Sequence, residues 1–255
     1  MTKPSAQPVH PWFPTRQPNP RARLRVFCFP YAGGGASIYN GWSAALPADV
    51  ELCAIQLPGR ERRILEKPFR EMSPLLDALE PQLAPLLDKP FVFFGYSMGT
   101  RLALGLAQRW QARGAPLPLG MVMAAATAPH RPRPIRDHLD DAAFIELLRT
   151  YEGTPALVFE HRELLEMILP SLRADFALAD AMLPSQPVGC PISAWMGEED
   201  PHVPPGEHVH WRELTTGEFR VRHFPGKHFF LRTARAPLLE ALREELVRWC
   251  PEVGS

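Results

Sequence analysis

The chain has little cysteine and no excess of charge of either sign. Its four cysteines, Cys28, Cys53, Cys190 and Cys250, lie far apart with no C-x-x-C pair, which removes the obvious zinc and dithiol motifs. Two of them sit inside apolar runs, and all four read as reduced thiols of a cytosolic protein. Lysine plus arginine equals aspartate plus glutamate at 28 each, a formal net charge of zero, which argues against a protein whose main task is to grip nucleic acid. The first twenty residues lack an apolar run long enough for a signal peptide or a membrane span. No internal repeat and no cluster of metal ligands is visible, so neither a membrane, a metal nor a cofactor is expected.

Proline is the one excess, at 30 of 255 residues, where average usage of about 5% would give roughly 13. Pro4, Pro8, Pro11, Pro14, Pro18 and Pro20 crowd the start, so residues 1–22 are expected to form a proline-rich tail, mobile or laid on the surface. Hydrophobic residues at 45% and charged residues at 22% describe a globular domain. Residues 23–255 are long enough for one large domain with an insertion.

Six short apolar runs read as buried strands: 24–29, 50–57, 91–94, 120–125, 191–196 and 219–224. Between them lie helical patterns, the clearest being Met98, Leu102, Leu106 and Trp110 at steps of four. A second leucine-rich helix, Leu75 to Leu87, is interrupted by Pro81 and Pro85, which should kink or delay it, and Ser37 to Leu46 suits a short helix. Continuous apolar strands alternating with amphipathic helices predict an α/β fold, a mainly parallel central sheet with helices on both faces. The interval 126–190 is too long for an ordinary crossover. It reads as an inserted helical lid, with helices at 140–151, 162–169 and 171–183.

Chemistry enters at Gly95-Tyr96-Ser97-Met98-Gly99, a G-x-S-x-G placed between a buried strand and a strong helix. That context turns a weak pattern into a nucleophile elbow, whose tight turn exposes the serine hydroxyl. A serine nucleophile needs a base, and the base needs an orienting acid. His228 follows the last strand behind a Pro-Gly turn, whereas His10, His130, His138, His161, His202, His208, His210 and His223 lie in the tail, the lid, the stretch after the acid loop or a strand. Asp200 follows the fifth strand in GEEDP. It competes with Glu198 and Glu199 and is preferred because Pro201 fixes its turn and its side chain is shorter. The chain order Ser97, Asp200, His228 is that of α/β-hydrolases. The loop PYAGGG after the first strand lets the backbone approach a substrate, and the N–H groups of Ala32 and Met98 are the expected oxyanion pair. A phosphate loop is disfavoured, because neither G-K-S/T nor the G-x-G-x-x-G register is present.

The segments FPYAGGGASIYNGW, QLPGRERR, FFGYSMG, LPSLRADF, GEEDP and FPGKHFFL together resemble the stand-alone type II thioesterases that accompany nonribosomal peptide and polyketide synthetases, over about residues 24–250. The resemblance implies an α/β-hydrolase fold and a thioesterase that removes stalled or wrong acyl groups from the phosphopantetheine arm of carrier proteins. It carries the triad roles to Ser97, Asp200 and His228 and makes 126–190 a mobile lid. The sequence departs from the family at Tyr96, where histidine is usual, and in its proline-rich tail. An acyl or peptidyl carrier protein is the implied partner, with Arg60, Arg62, Arg63, Arg131, Arg133 and Arg136 as candidate contacts. A monomer is the default. A product-releasing thioesterase, an esterase of free small substrates and, more remotely, a binding module on a hydrolase fold remain as alternatives.

Overall fold

A computed structural model describes residues 10–132, 134–136 and 138–254; Pro4, Pro8 and Arg133 lie outside the described residues. All six apolar runs form strands: β1 (Leu24–Phe29), β2 (Val50–Ala54), β3 (Phe91–Tyr96), β4 (Met121–Ala124), β5 (Ile192–Gly197) and β6 (Phe219–Phe224). They pair in parallel in the order β2-β1-β3-β4-β5-β6. Every residue of β1 to β4 is buried, as expected of strands covered on both faces. Between β1 and β3 the strand order reverses. A parallel sheet leaves a crevice at the carboxyl ends of the strands where this happens, so the loop after β1 and the turn after β3 face one opening.

One face of the sheet, carrying Phe27, Phe29, Phe91 and Phe93, packs on α1 (Met72–Leu83) and α2 (Met98–Ala112). On the other face, Val26, Phe94 and Trp195 pack under Leu238, Leu242 and Leu246 of α7 (Arg235–Trp249). Helix α1 tolerates Pro81 near its end and passes into a 3₁₀ turn, Ala84–Leu86, that contains Pro85. The region 37–46 forms not one helix but two 3₁₀ turns, Ala36–Tyr39 and Ser43–Ala45. Gly41, at φ +77°, breaks the helical path between them.

Between β4 and β5 lie α3 (Asp141–Tyr151), α4 (Ala156–Glu160) and α5 (Arg162–Asp180). The side chain of Asp140 caps α3 by accepting from the Ala143 N–H at 2.8 Å. The two helices expected around Pro170 are a single helix. Pro170 leaves one backbone bond unmade, but beyond it Leu172, Phe176 and Leu178 are buried, and their packing carries the helix through. Phe144, Leu148, Leu172 and Phe176 form a small core of their own. No helix among the described residues is long and apolar enough to cross a membrane.

Residues 10–22 are anchored to the body. Trp12 and Phe13 are buried in the core that contains Phe27 and Leu57, and the Trp12 carbonyl accepts the Gln56 N–H at 2.9 Å. The Arg63 guanidinium lies 4.3 Å over the Trp12 ring. All four cysteines are buried free thiols, and burial pushes the Cys53 and Cys190 thiols up to about 12, which keeps them protonated.

The anchoring predicts that Trp12→Ala destabilises the whole domain by about 3–5 kcal/mol, the usual effect of emptying a buried aromatic site. Urea denaturation measures this, and a midpoint equal to that of the unsubstituted protein would show that the anchor contributes nothing.

Candidate active site

Ser97 is the residue between β3 and α2. Its backbone is left-handed, φ +52° and ψ −114°, a strain of roughly 1–3 kcal/mol for a non-glycine residue. Surrounding bonds hold it there. The Ser97 N–H donates to the Ala124 carbonyl at 2.8 Å, while its own carbonyl accepts from the Thr100 N–H at 3.1 Å and the Thr100 hydroxyl at 2.7 Å. The flanking glycines are required by space. A Cβ on Gly95 would lie 2.7 Å from the Thr100 Cα, and one on Gly99 would lie 2.2 Å from the Phe29 carbonyl oxygen. The second of these contacts seats the start of α2 on the end of β1.

Asp200 and His228 come from the loops after β5 and β6, which are joined backbone to backbone. The Glu198 N–H donates to the Phe224 carbonyl at 2.9 Å and the Glu199 N–H to the Gly226 carbonyl at 3.1 Å. A Cβ on Gly197 would meet the Lys227 carbonyl at 2.5 Å. Glu198 and Glu199 point to solvent whereas Asp200 is buried. His228 Nε2 lies 3.0 Å from Ser97 Oγ, and Nδ1 lies 2.8 Å from Asp200 Oδ2. Because a carboxylate only accepts, Nδ1 carries the proton and Nε2 is left to accept from the serine hydroxyl.

Ser97, Met98, Ala32 and His228 line one cavity. The Met98 N–H is the first of α2, one of the four that a helix leaves without an internal acceptor. Ala32 sits in the loop after β1, held beside the elbow by the pairing of Phe29 with Gly95. Leu148, Leu172 and Phe176 supply an apolar wall from the inserted helices.

The roles of several residues around the site are not legible from the motifs. Asp175 of α5 is fully buried and accepts three bonds: from Arg60 at 2.5 and 2.8 Å and from the Gly33 N–H at 2.7 Å. One carboxylate thus ties the inserted helix to both the loop after β2 and the glycine loop. The backbone N–H of His202 donates to Asp200 Oδ1 at 2.9 Å. Its ring stacks on Tyr151 of α3 at 3.6 Å and stands edge-on to His228 at 5.4 Å. An aspartate that bonds the backbone two residues on is a common turn, and that spacing was the available signal. Of the candidate docking arginines, Arg60 and Arg63 are buried. Arg63 pairs with Glu66, and Arg136 pairs with Asp180 and donates to the Tyr151 hydroxyl. Arg62 and Arg131 are the exposed remainder.

A serine on a strand-to-helix elbow, with an aspartate and a histidine following later strands in that order, is the layout of an α/β-hydrolase. The family model described as "Thioesterase domain" matches residues 24–249. The chain belongs to that family and is a hydrolase acting on thioesters. It is 37% identical to the gramicidin S biosynthesis protein GrsT of Aneurinibacillus migulanus over 242 residues, covering 93% of this chain and 94% of that protein. Among solved structures it is similar to RedJ, a thioesterase from the prodiginine pathway of Streptomyces coelicolor, with a TM-score of 0.82 at 36% identity, covering 92% and 98% of the two chains. It is also similar to BorB, the type II thioesterase of the borrelidin cluster, with a TM-score of 0.78 at 36% identity and coverage of 89% and 94%.

Two outcomes follow from the site's electrostatics. Asp175→Asn keeps the shape but strands a buried guanidinium, and unfolding in urea should show a loss of about 3–5 kcal/mol; an unchanged midpoint would contradict the tie. Burial, and then the nearby His228, lower the His202 pKa from 6.5. The unfolded chain therefore binds the proton more readily, and the stability this contributes is present above pH 6.5 and lost as pH falls through the lower folded value. His202→Phe, which keeps a ring against Tyr151, should flatten the acid side of the Tm profile below pH 6.5, and an unaltered profile would contradict this.

Proposed function

We propose that this chain is a type II thioesterase that hydrolyses acyl or aminoacyl thioesters from the phosphopantetheine arm of an acyl or peptidyl carrier protein, clearing misprimed synthetase modules in the cytoplasm. The observation that carries the reading is the Ser97–His228–Asp200 hydrogen-bond chain, opening on a cavity with an apolar wall, in a chain similar along most of its length to BorB and RedJ.

In this reading Ser97 Oγ attacks the thioester carbonyl as its proton passes to His228 Nε2, across the 3.0 Å contact. Asp200 holds the Nδ1–H tautomer and stabilises the imidazolium. The N–H groups of Ala32 and Met98 receive the oxyanion. Collapse of the tetrahedral intermediate breaks the carbon–sulfur bond, and the pantetheine leaves as a thiol carrying the proton from His228 Nε2, which is neutral again. A thiol with pKa about 8.5 departs readily, so protonation of the leaving group matters less than for an ester. His228 then takes a proton from water as the water attacks the acyl-serine, and returns it to Ser97. No step calls on a cofactor.

The inserted helices act as the lid over the acyl group. Besides the tie of Asp175 to Arg60, the lid meets the body through the Tyr151–His202 stack and through Lys227 and Glu152, 2.8 Å apart, and opening at the α3 end would require these last contacts to part. Among the described candidate docking arginines, Arg62 and Arg131 are exposed and available to an acidic carrier.

Hydrolysis of acetyl, medium-chain and aminoacyl groups on carrier proteins, against the same groups on free pantetheine, tests the reading. Higher kcat/KM on carriers, falling by roughly 10³-fold or more in Ser97→Ala, is expected. Equal rates on free substrates would favour a general esterase, and near-normal turnover by Ser97→Ala would remove Ser97 from the chemistry.

A further inference from the structure

Tyr96 stands one residue before the nucleophile and is fully buried, its ring packed against Phe230 at 5.3 Å and Tyr31 at 6.0 Å. Its hydroxyl donates to the His228 carbonyl at 2.6 Å and accepts from the Leu231 N–H at 3.2 Å. The neighbouring turns make direct bonds, Phe230 N–H to the Lys227 carbonyl at 3.2 Å and Arg232 N–H to the Phe229 carbonyl at 2.8 Å. Leu231 N–H to the His228 carbonyl would be the bond between these two in the series. The Tyr96 oxygen occupies that place and joins the two groups instead. Burial raises the phenol well above its ordinary range, so the hydroxyl keeps the proton it donates.

We propose that Tyr96 is a positioning residue: its hydroxyl wedges open the turn that carries His228 and thereby aims the imidazole at Ser97. The inference rests on the triad reading above. It makes one rigid side chain the link between the nucleophile's strand and the base's loop, because β3 fixes Tyr96 and Tyr96 fixes the backbone of residue 228. Without the hydroxyl, the two freed backbone groups can bond each other directly, as their neighbours do. The turn then closes over the vacated oxygen position and His228 shifts away from the serine. Such a displacement, of the order of 1 Å, is enough to reduce turnover by about 10²-fold. A packing role alone requires only the ring, which phenylalanine retains.

The test is Tyr96→Phe in the full chain, assayed with a short-chain acyl pantetheine thioester, beside Ser97→Ala. Expected are a kcat roughly 10- to 100-fold lower with KM within about twofold, and a shifted or broadened low-field proton resonance for the His228 Nδ1–H to Asp200 bond. A lowered Tm with kcat and that resonance unchanged would confine Tyr96 to packing and overturn the proposal. If Tyr96→Phe does not fold, p-aminophenylalanine at position 96 retains the donor to the His228 carbonyl and weakens the acceptor. Because the amine still fills the gap between the two backbone groups, kcat within a few-fold of the unsubstituted protein is then expected, and a loss of about 10-fold or more with the gap still filled would overturn the proposal. Full activity in Ser97→Ala would instead sink the triad reading, while the resonance would still report whether the hydroxyl sets the geometry of His228.

Discussion

The left-handed backbone at Ser97 is the constraint on which the rest of the site depends. It lets β3 turn into α2 without an intervening loop, so the serine projects at the carboxyl end of the sheet and the first N–H of the helix stays without an internal partner. Gly95 and Gly99 leave the space this needs, and Gly99 also brings the helix start against the Phe29 carbonyl at the end of β1. The glycine loop that follows Phe29 is thereby delivered next to the elbow. Strain at one residue is offset by the bonds of Ala124 and Thr100 around it, as expected where a backbone outlier serves a site.

A second set of ties brings in the remaining parts. Gly197 lets the loops after β5 and β6 touch, which places Asp200 beneath His228. Tyr96 reaches from the elbow to the other side of the same histidine. Asp175 draws α5 of the inserted region to Arg60 and to the glycine loop. The histidine is thus held from its ring and from its backbone, and the inserted helices are held to the glycine loop beside the cavity. Since two charges buried together add little net stability but leave a heavy penalty when one is removed, the Arg60–Asp175 pair is better understood as fixing position than as strengthening the fold.

The strands, the sheet class and the grouping of Ser97, Asp200 and His228 were legible because each depends on local pattern. Buried strands are continuous apolar runs, and in an open α/β sheet the functional side chains follow strand ends in a known order. The failures share a different cause. Charge spacing suggested that Arg60 and Arg63 face a partner, but the carboxylate that buries Arg60 lies 115 residues away in the chain. Pro170 signalled a break that tertiary burial of Leu172 and Phe176 overrides. The proline-rich leader concealed Trp12 and Phe13, whose places in the core depend on β2 and its following loop. The resemblance pointed to QLPGRERR and LRADF as important; only the fold shows that they meet.

The most direct test of covalent catalysis by this site is rapid-quench peptide mapping during turnover of an acyl thioester. The account predicts that the acyl mass is found on the peptide containing Ser97, and that it forms and decays at rates compatible with kcat. Steady turnover with no acyl group on that peptide, or with the group on another residue, would contradict it.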